Sequence, residues 1–243
     1  AYAVRSSTLT DGTYAFTVRQ TDVAGNGSDA SASLSVTIDT TIATPSAPDL
    51  DPTSDTGSLS TDNITMTTTP TFNGTAEADA AVTLYKNGTS AGTTTASATG
   101  TFVVIASPAL TDGTYAFTVK ATDPAGNVSA TSTGLSATID TTIATPDAPV
   151  LDPGSDTGAS NTDNITSDTT PTFIGTTEAD AAVYLYHSDA GTTVVGTTTA
   201  NSSGLYSVTS APVTDGPYTF TVKATDPAGN LSSESLGLVV TSD

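Results

Sequence analysis

Asp39-Thr40-Thr41-Ile42-Ala43-Thr44-Pro45 recurs residue for residue as Asp140-Thr141-Thr142-Ile143-Ala144-Thr145-Pro146. The shift of 101 residues that superposes these heptapeptides also lays Asp11-Gly12-Thr13-Tyr14 on Asp112-Gly113-Thr114-Tyr115. A further shift of 103 reaches Asp215-Gly216-Pro217-Tyr218. A third marker follows each of these: Asp22…Ala24-Gly25-Asn26, then Asp123-Pro124-Ala125-Gly126-Asn127, then Asp226-Pro227-Ala228-Gly229-Asn230. The chain is a tandem array with a period of roughly one hundred residues, too long for a solenoid unit and the size of a self-contained β-domain. Residues 40–140 and 141–243 are two complete copies, and 1–39 is the C-terminal part of another.

Around each copy of the Asp-Gly-Thr-Tyr marker the sequence alternates with period two. Tyr115, Phe117, Val119 and Ala121 fall on one face, with Ala116, Thr118 and Lys120 on the other; Tyr218, Phe220, Val222 and Ala224 repeat the pattern, as do Tyr14, Phe16 and Val18. That is a half-buried antiparallel strand. Leu135, Ala137 and Ile139 alternate in the next strand. Thr71–Gly74 and Ala81–Tyr85 read as a strand pair around a polar turn at Glu77–Asp79, Lys86-Asn87-Gly88 reads as a hairpin turn, and Thr101–Ile105 reads as a further strand. Pro70 and Pro171 sit where strands begin and a missing N–H is tolerated. About seven short strands per copy, with turn signals between them and no helical periodicity, predict a β-sandwich.

The chain carries 25 acids against 5 basic residues, a net charge of −20, with no cysteine and no tryptophan. That surface repels nucleic acid and anionic membrane faces and suits divalent cations. The absence of cysteine removes disulfides and thiolate metal sites. No apolar run approaches the ~18 residues that span a bilayer.

Ser-Asp-Thr-Gly at 54–57 and 155–158, Thr-Asp-Asn-Ile-Thr at 61–65 and 162–166, Thr-Pro-Thr-Phe at 69–72 and 170–173, and the Asp-x-Ala-Gly-Asn turns resemble those of bacterial immunoglobulin-like domains. Such domains form long arrays in giant adhesins exported by type I secretion. The resemblance spans the whole chain. It implies tandem immunoglobulin-like β-sandwiches arranged as an extended, calcium-stiffened rod outside a bacterial cell, with neighbouring repeats as the immediate partners.

The acids support a metal independently. Residues 40–140 hold nine: Asp49, Asp51, Asp55, Asp62, Glu77, Asp79, Asp112, Asp123 and Asp140. Eight recur in the next copy as Asp152, Asp156, Asp163, Glu178, Asp180, Asp215, Asp226 and Asp243, and only Asp49 is replaced, by Val150. Calcium takes six to eight oxygen ligands from carboxylates, amides and backbone carbonyls. In an immunoglobulin-like sandwich the turn before Ala81 and the turn after Thr122 share the N-terminal pole. Glu77, Asp79, Asp123 and Asn127 should therefore face Asp39 and Asp11 of the preceding repeat and enclose one ion. Glu178, Asp180, Asp226 and Asn230 should meet Asp140 and Asp112 in the same way. A second group lies on the long segment after the first strand: Asp51, Asp55, Asp62 and Asn63, then Asp152, Asp156, Asp163 and Asn164. The plainer reading is turn chemistry, because Asp and Asn side chains satisfy their own backbone; for Asp11, Asp112 and Asp215 the two readings stand level.

Other chemistry finds little support. His187 is the one histidine, at the position of Lys86 in the other copy; it lacks a cysteine partner and is expected to be solvated. Glu77 and Asp79 sit on a polar turn rather than in an apolar cleft, so paired-carboxylate hydrolysis is not expected. Arg19, Lys120 and Lys223 share one outward strand position and predict a cross-strand partner. The leading expectation is a non-enzymatic stalk. A glycan or receptor module, with Tyr85, Tyr184 and Tyr186 as exposed aromatics, and an accessory domain of a secreted polysaccharide enzyme are the alternatives. In residues 1–39, Tyr14, Phe16, Val18, Leu34, Val36 and Ile38 have no opposing sheet, and upstream strands or another chain are expected to cover them.

Overall fold

The structure is a computed structural model that describes residues 3–189, 191 and 193–243. Among these residues every element is a strand. The first repeat contributes β1 (Gly12–Phe16) and β2 (Leu34–Ile38). The second contributes β3 (Asp49–Leu50), β4 (Ile64–Thr65), β5 (Thr71–Thr75), β6 (Ala81–Lys86), β7 (Thr89–Thr95), β8 (Thr101–Ile105), β9 (Gly113–Thr122) and β10 (Leu135–Ile139). The third contributes β11 (Val150–Leu151), β12 (Ile165–Thr166), β13 (Thr172–Thr176), β14 (Ala182–His187), β15 (Gly196–Thr199), β16 (Leu205–Thr209), β17 (Gly216–Thr225) and β18 (Leu238–Ser242). The chain divides into two units that cut across the repeats: Ala1–Pro48, Asn73–Val104 and Thr118–Leu135 in one, Asp49–Phe72, Ile105–Phe117 and Ser136–Asp243 in the other.

The third repeat lies whole in the second unit. Its strands form a three-stranded sheet, β11-β13-β16, and a five-stranded sheet, β12-β18-β17-β14-β15. The pairings within them are antiparallel except β12 with β18, which run parallel. Phe173 from one sheet and Val183, Leu185, Phe220 and Val222 from the other are fully buried in one core, where the Phe173 and Phe220 ring centroids lie 4.3 Å apart. This is the tandem β-sandwich expected from the alternation. The second repeat has the same sheet orders, β4-β10-β9-β6-β7 and β3-β5-β8.

One strand pairing expected from the sequence is overturned. Thr71–Gly74 and Ala81–Tyr85 lie in β5 and β6, which belong to different sheets. The third repeat shows why: β13 and β14 must supply apolar side chains from opposite layers to close one core, and a hairpin would put both in the same layer. The polar turn is therefore a crossing at the rim, helped by Asp79 and Asp180 in the left-handed region at φ 61 and 59.

Two recurrent devices shape the long strand. Tyr115 donates its hydroxyl to Thr111 O at 2.9 Å, and Tyr14 and Tyr218 do the same to Thr10 O and Thr214 O. This is the tyrosine corner of immunoglobulin-like sandwiches, and it explains why the Asp-Gly-x-Tyr marker is invariant in spacing. Beyond it, a Ser-x-x-Ser pair supplies side-chain acceptors to the strand. In the second repeat Ser132 Oγ accepts from Val119 N at 3.0 Å and Ser129 Oγ from Ala121 N at 2.9 Å. Ser28 with Ser31, and Ser232 with Ser235, repeat this.

His187 is not simply solvated: half-buried, it packs edge-on against Tyr218 and Phe220, with centroids 5.0 and 5.5 Å away. Lys223 pairs with Glu234 at 3.6 Å and lies 5.7 Å from the Tyr186 ring. In the first repeat β1 and β2 pair antiparallel, Gly12 opposite Ile38. Tyr14, Phe16, Val36 and Ile38 are half-buried there, while Val18 and Leu34 are exposed.

Candidate metal centres

The identical heptapeptides are linkers, and most of their residues have a partner. At the second junction Thr141 donates its hydroxyl to Asp112 Oδ1 at 2.8 Å, and Thr142 N donates to Asp140 Oδ1 at 3.3 Å. Ala144 N donates to Glu178 Oε1 at 2.6 Å. Pro146 is buried. At the first junction Thr40 reaches Asp11 at 2.8 Å, Thr41 N reaches Asp39 at 3.2 Å and Ala43 N reaches Glu77 at 3.5 Å. The linkers are thus tied to carboxylates of both flanking repeats through backbone amides, and through the Thr40 and Thr141 hydroxyls, which require those side chains.

These contacts gather carboxylates. Asp39, Glu77 and Asp123 place an oxygen each within 4.8 Å of one another, and Asp140, Glu178 and Asp226 do the same. Asn127 closes the first group, donating to Asp123 Oδ2 at 2.7 Å and to the Asp39 carbonyl at 3.1 Å. Asn230 closes the second, donating to Asp226 Oδ2 at 2.8 Å and to the Asp140 carbonyl at 2.9 Å. Burial pushes the Asp140 carboxyl up, and the charges of Asp226 and Asp112 push it further against the opposing Thr142 amide. Burial also works upward on Asp123, but the Asn127 carboxamide and the amides of Asn127, Gly126 and Ala125 hold it below the ordinary aspartate value. The exposed Asp22 turn has the same Asn26 bonds and is likewise lowered, chiefly by the Asn26 side chain.

Of the residues expected at the junctions, the structure thus brings together Asp39, Glu77, Asp123 and Asn127, and Asp140, Glu178, Asp226 and Asn230. Asp11 and Asp112 stand beside the groups as acceptors for the linker threonines. Asp79 and Asp180 lie outside the three-carboxylate groups and serve their turns.

The loop acids form a different arrangement. Asp51 and Asp152 cap their own turns, accepting from Thr53 N at 2.9 Å and Gly154 N at 2.8 Å. Asp55 and Asp156 are each 5% exposed. One oxygen of each accepts from the Asn63 or Asn164 amide, at 3.2 and 3.3 Å, and the other has no partner. Burial raises the Asp55 pKa, and the adjacent Asp62 adds to it. Asn63 and Asn164 take the left-handed conformation that turns their amides inward.

The sequence pattern sets this loop apart from the junction. In the structure the loop instead reaches the next repeat: the Thr56 hydroxyl donates to Ala228 O at 2.5 Å. β4 runs parallel to β10, so it carries the loop toward the exit of the repeat. Also unforeseen were Thr65 and Thr166, buried hydroxyls that hold the loop by donating to Ser54 O and Ser155 O. Their recurrence in Thr-Asp-Asn-Ile-Thr was the available signal.

All-oxygen clusters of this kind suit a hard cation. Three carboxylates within one oxygen shell repel without a positive charge among them, and a buried carboxylate oxygen without a donor is a costly acceptor. The residues fit Ca2+.

The family model described as bacterial Ig-like domain matches residues 2–40, 41–141 and 142–243. Exoglucanase B of Cellulomonas fimi is 34% identical over 238 residues, covering 94% of this chain and 20% of its own length. Chitinase A1 of Niallia circulans is 41% identical over 142 residues, covering 57% of this chain and 19% of its own length. The chain therefore spans about a fifth of the length of the curated relatives it matches. Among solved structures, one concerning host cell surface retention of a 1.5-MDa bacterial ice-binding adhesin covers 96% of this chain and 74% of that chain, at 19% identity and a TM-score of 0.37. With the family model matched three times from residue 2 to residue 243, the chain belongs to the bacterial Ig-like domain family.

Proposed function

We propose that these repeats are a structural stalk of a bacterial surface adhesin, stiffened by calcium at their junctions and in their loops. The observation that carries the reading is the recurrence of one three-carboxylate group at both junctions, each closed by an Asn side chain on the exit carbonyl of the preceding repeat. Asp39, Glu77 and Asp123 would hold one ion, and Asp140, Glu178 and Asp226 another. Asp55 with Asp62, and Asp156 with Asp163, would hold ions within the repeats. An ion joining residues of two repeats fixes the angle between them, which is what a spacer needs. Its place is outside the cell, where calcium is plentiful and the lack of disulfides is offset by metal.

A second reading rests on the relatives. Both curated matches are polysaccharide-degrading enzymes by name, so the same spacer could separate modules of a secreted enzyme. In either parent the array is non-catalytic. A glycan or receptor role for the repeats themselves is less favoured, because Tyr186 is covered by Lys223 and Tyr85 and Tyr184 are half-buried. Small-angle scattering in calcium and in chelator tests the spacer: chelation should broaden the distribution of distances between repeats, and an unchanged profile contradicts junction ions. Co-sedimentation with cellulose and chitin tests the glycan-binding role; retention of the chain would favour it over a spacer in either parent.

A further inference from the structure

The loop after the first strand occurs twice with one construction. Ser-Asp-Thr-Gly at 54–57 and 155–158 places Gly57 at φ 93 and Gly158 at φ 104. The Thr56 hydroxyl oxygen accepts from Met66 N at 2.8 Å, and the Thr157 hydroxyl oxygen from Ser167 N at 2.8 Å. The surroundings differ. In the second repeat the loop lies against the Pro227–Gly229 turn of the third. A Cβ on Gly57 would collide with Pro227 O, and one on Gly229 would fall 3.0 Å from Gly57 N. Backbone meets backbone there through two glycines, with the Thr56–Ala228 bond at 2.5 Å beside them. Next to the contact is a cleft of about 330 Å3 between Leu59 and Asp62 of the loop and Asp180 and Tyr184 of the following repeat. In the third repeat nothing lies within 4 Å of a Cβ on Gly158, and the Thr157 hydroxyl instead meets Ser167 Oγ at 3.0 Å. Gly126, the second-repeat counterpart of Gly229, is equally open.

We infer that Thr157–Gly158 is a docking surface for the Asp-Pro-Ala-Gly-Asn turn of a further repeat of this kind, and that Pro124–Gly126 is the complementary surface for the loop of a complete preceding one. The occupant is fixed by the chain's own example, because the same loop already holds that turn at 227–229. A side chain larger than hydrogen on either glycine blocks the approach. The contact is made by backbone and one hydroxyl, apart from the carboxylates, so it persists as a pivot in chelator even as loss of the ion widens the range of angles between the repeats.

The test extends the chain after Asp243 with a second copy of residues 141–243 and follows hydrogen exchange of the amides at 156–163. The extended chain should exchange about tenfold more slowly there than the original, in both media. Gly158→Ala should erase that slowing. Alanine is strained at this φ in both chains, so the quantity read is the difference between them, from which the strain cancels. Alanine at the added copy's equivalent of Gly229 should erase the slowing from the other side, leaving residue 158 intact. In the original chain Gly57→Ala should accelerate exchange at 226–230. Equal exchange in the two chains, slowing that survives both substitutions, or slowing seen only in calcium would overturn the inference.

Discussion

The junction groups and the loop acids use the same side chains against two different electrostatic problems. At Asp140, Glu178 and Asp226 the problem is repulsion: three carboxylates from two repeats converge, and Asn230 supports only part of the charge. At Asp55 and Asp156 the problem is burial: a single carboxylate is 5% exposed with one oxygen unpartnered. A cation would answer both, and its loss would be read out differently: loss from the junction would free the hinge, and loss from the loop would weaken the repeat itself.

The largest effect expected is on overall stability. A ligand at one hundred times its dissociation constant adds about 2.7 kcal/mol per site, so melts in calcium and in chelator should differ by many degrees. Superimposable melts would remove the metal from both regions at once.

Next is a reversal of sign at the loop. Asp55→Asn removes a buried charge that nothing neutralises in chelator, and a ligand in calcium. The variant should melt higher than the parent in chelator and lower in calcium, by about 1–2 kcal/mol each way. The same direction in both media would show that the orphan oxygen is not a metal ligand.

Smaller, and diagnostic of region, is a pair of alanine variants. Asp156→Ala should lower melting of the third repeat and leave scattering unchanged. Asp140→Ala should change scattering with little loss in melting. Matching changes from both would collapse the distinction between hinge and repeat.

The smallest effect is in pH. Asp55 and Asp140 have raised pKa values, so their charged forms oppose folding and the penalty disappears as pH falls through the raised values. Asp123, against the effect of burial, is lowered by its Asn127 bonds, and its contribution is lost only below the ordinary aspartate range. In chelator, stability should therefore rise between neutrality and the ordinary aspartate range and fall below it. In calcium it should fall throughout, because protons compete with the ion. Parallel profiles in the two media would contradict this.

Much of this was legible in the sequence because the repeat compares the chain with itself. Alternation at Tyr218, Phe220 and Val222 fixed the long strand, and the turn at 226–230 pointed to the junction. What was not legible depended on layers rather than spacing. Thr71–Gly74 and Ala81–Tyr85 look like a hairpin when read along the chain; only the need for two sheets around Phe173 in the matching repeat separates them. The reach of Thr56 to Ala228 is likewise invisible in sequence, since it depends on the parallel pairing of β4 with β10. His187 reads as a polar turn residue until the chain folds Tyr218 and Phe220 beneath it.

The most direct test is calorimetric titration of calcium into the metal-free chain and into its Glu77→Gln, Glu178→Gln double variant. Each glutamate sits in one junction group, and neither lies in the loops. The double variant should bind two fewer ions than the parent and keep the sites of the loops. An unchanged stoichiometry and unchanged affinities would contradict calcium at the junctions.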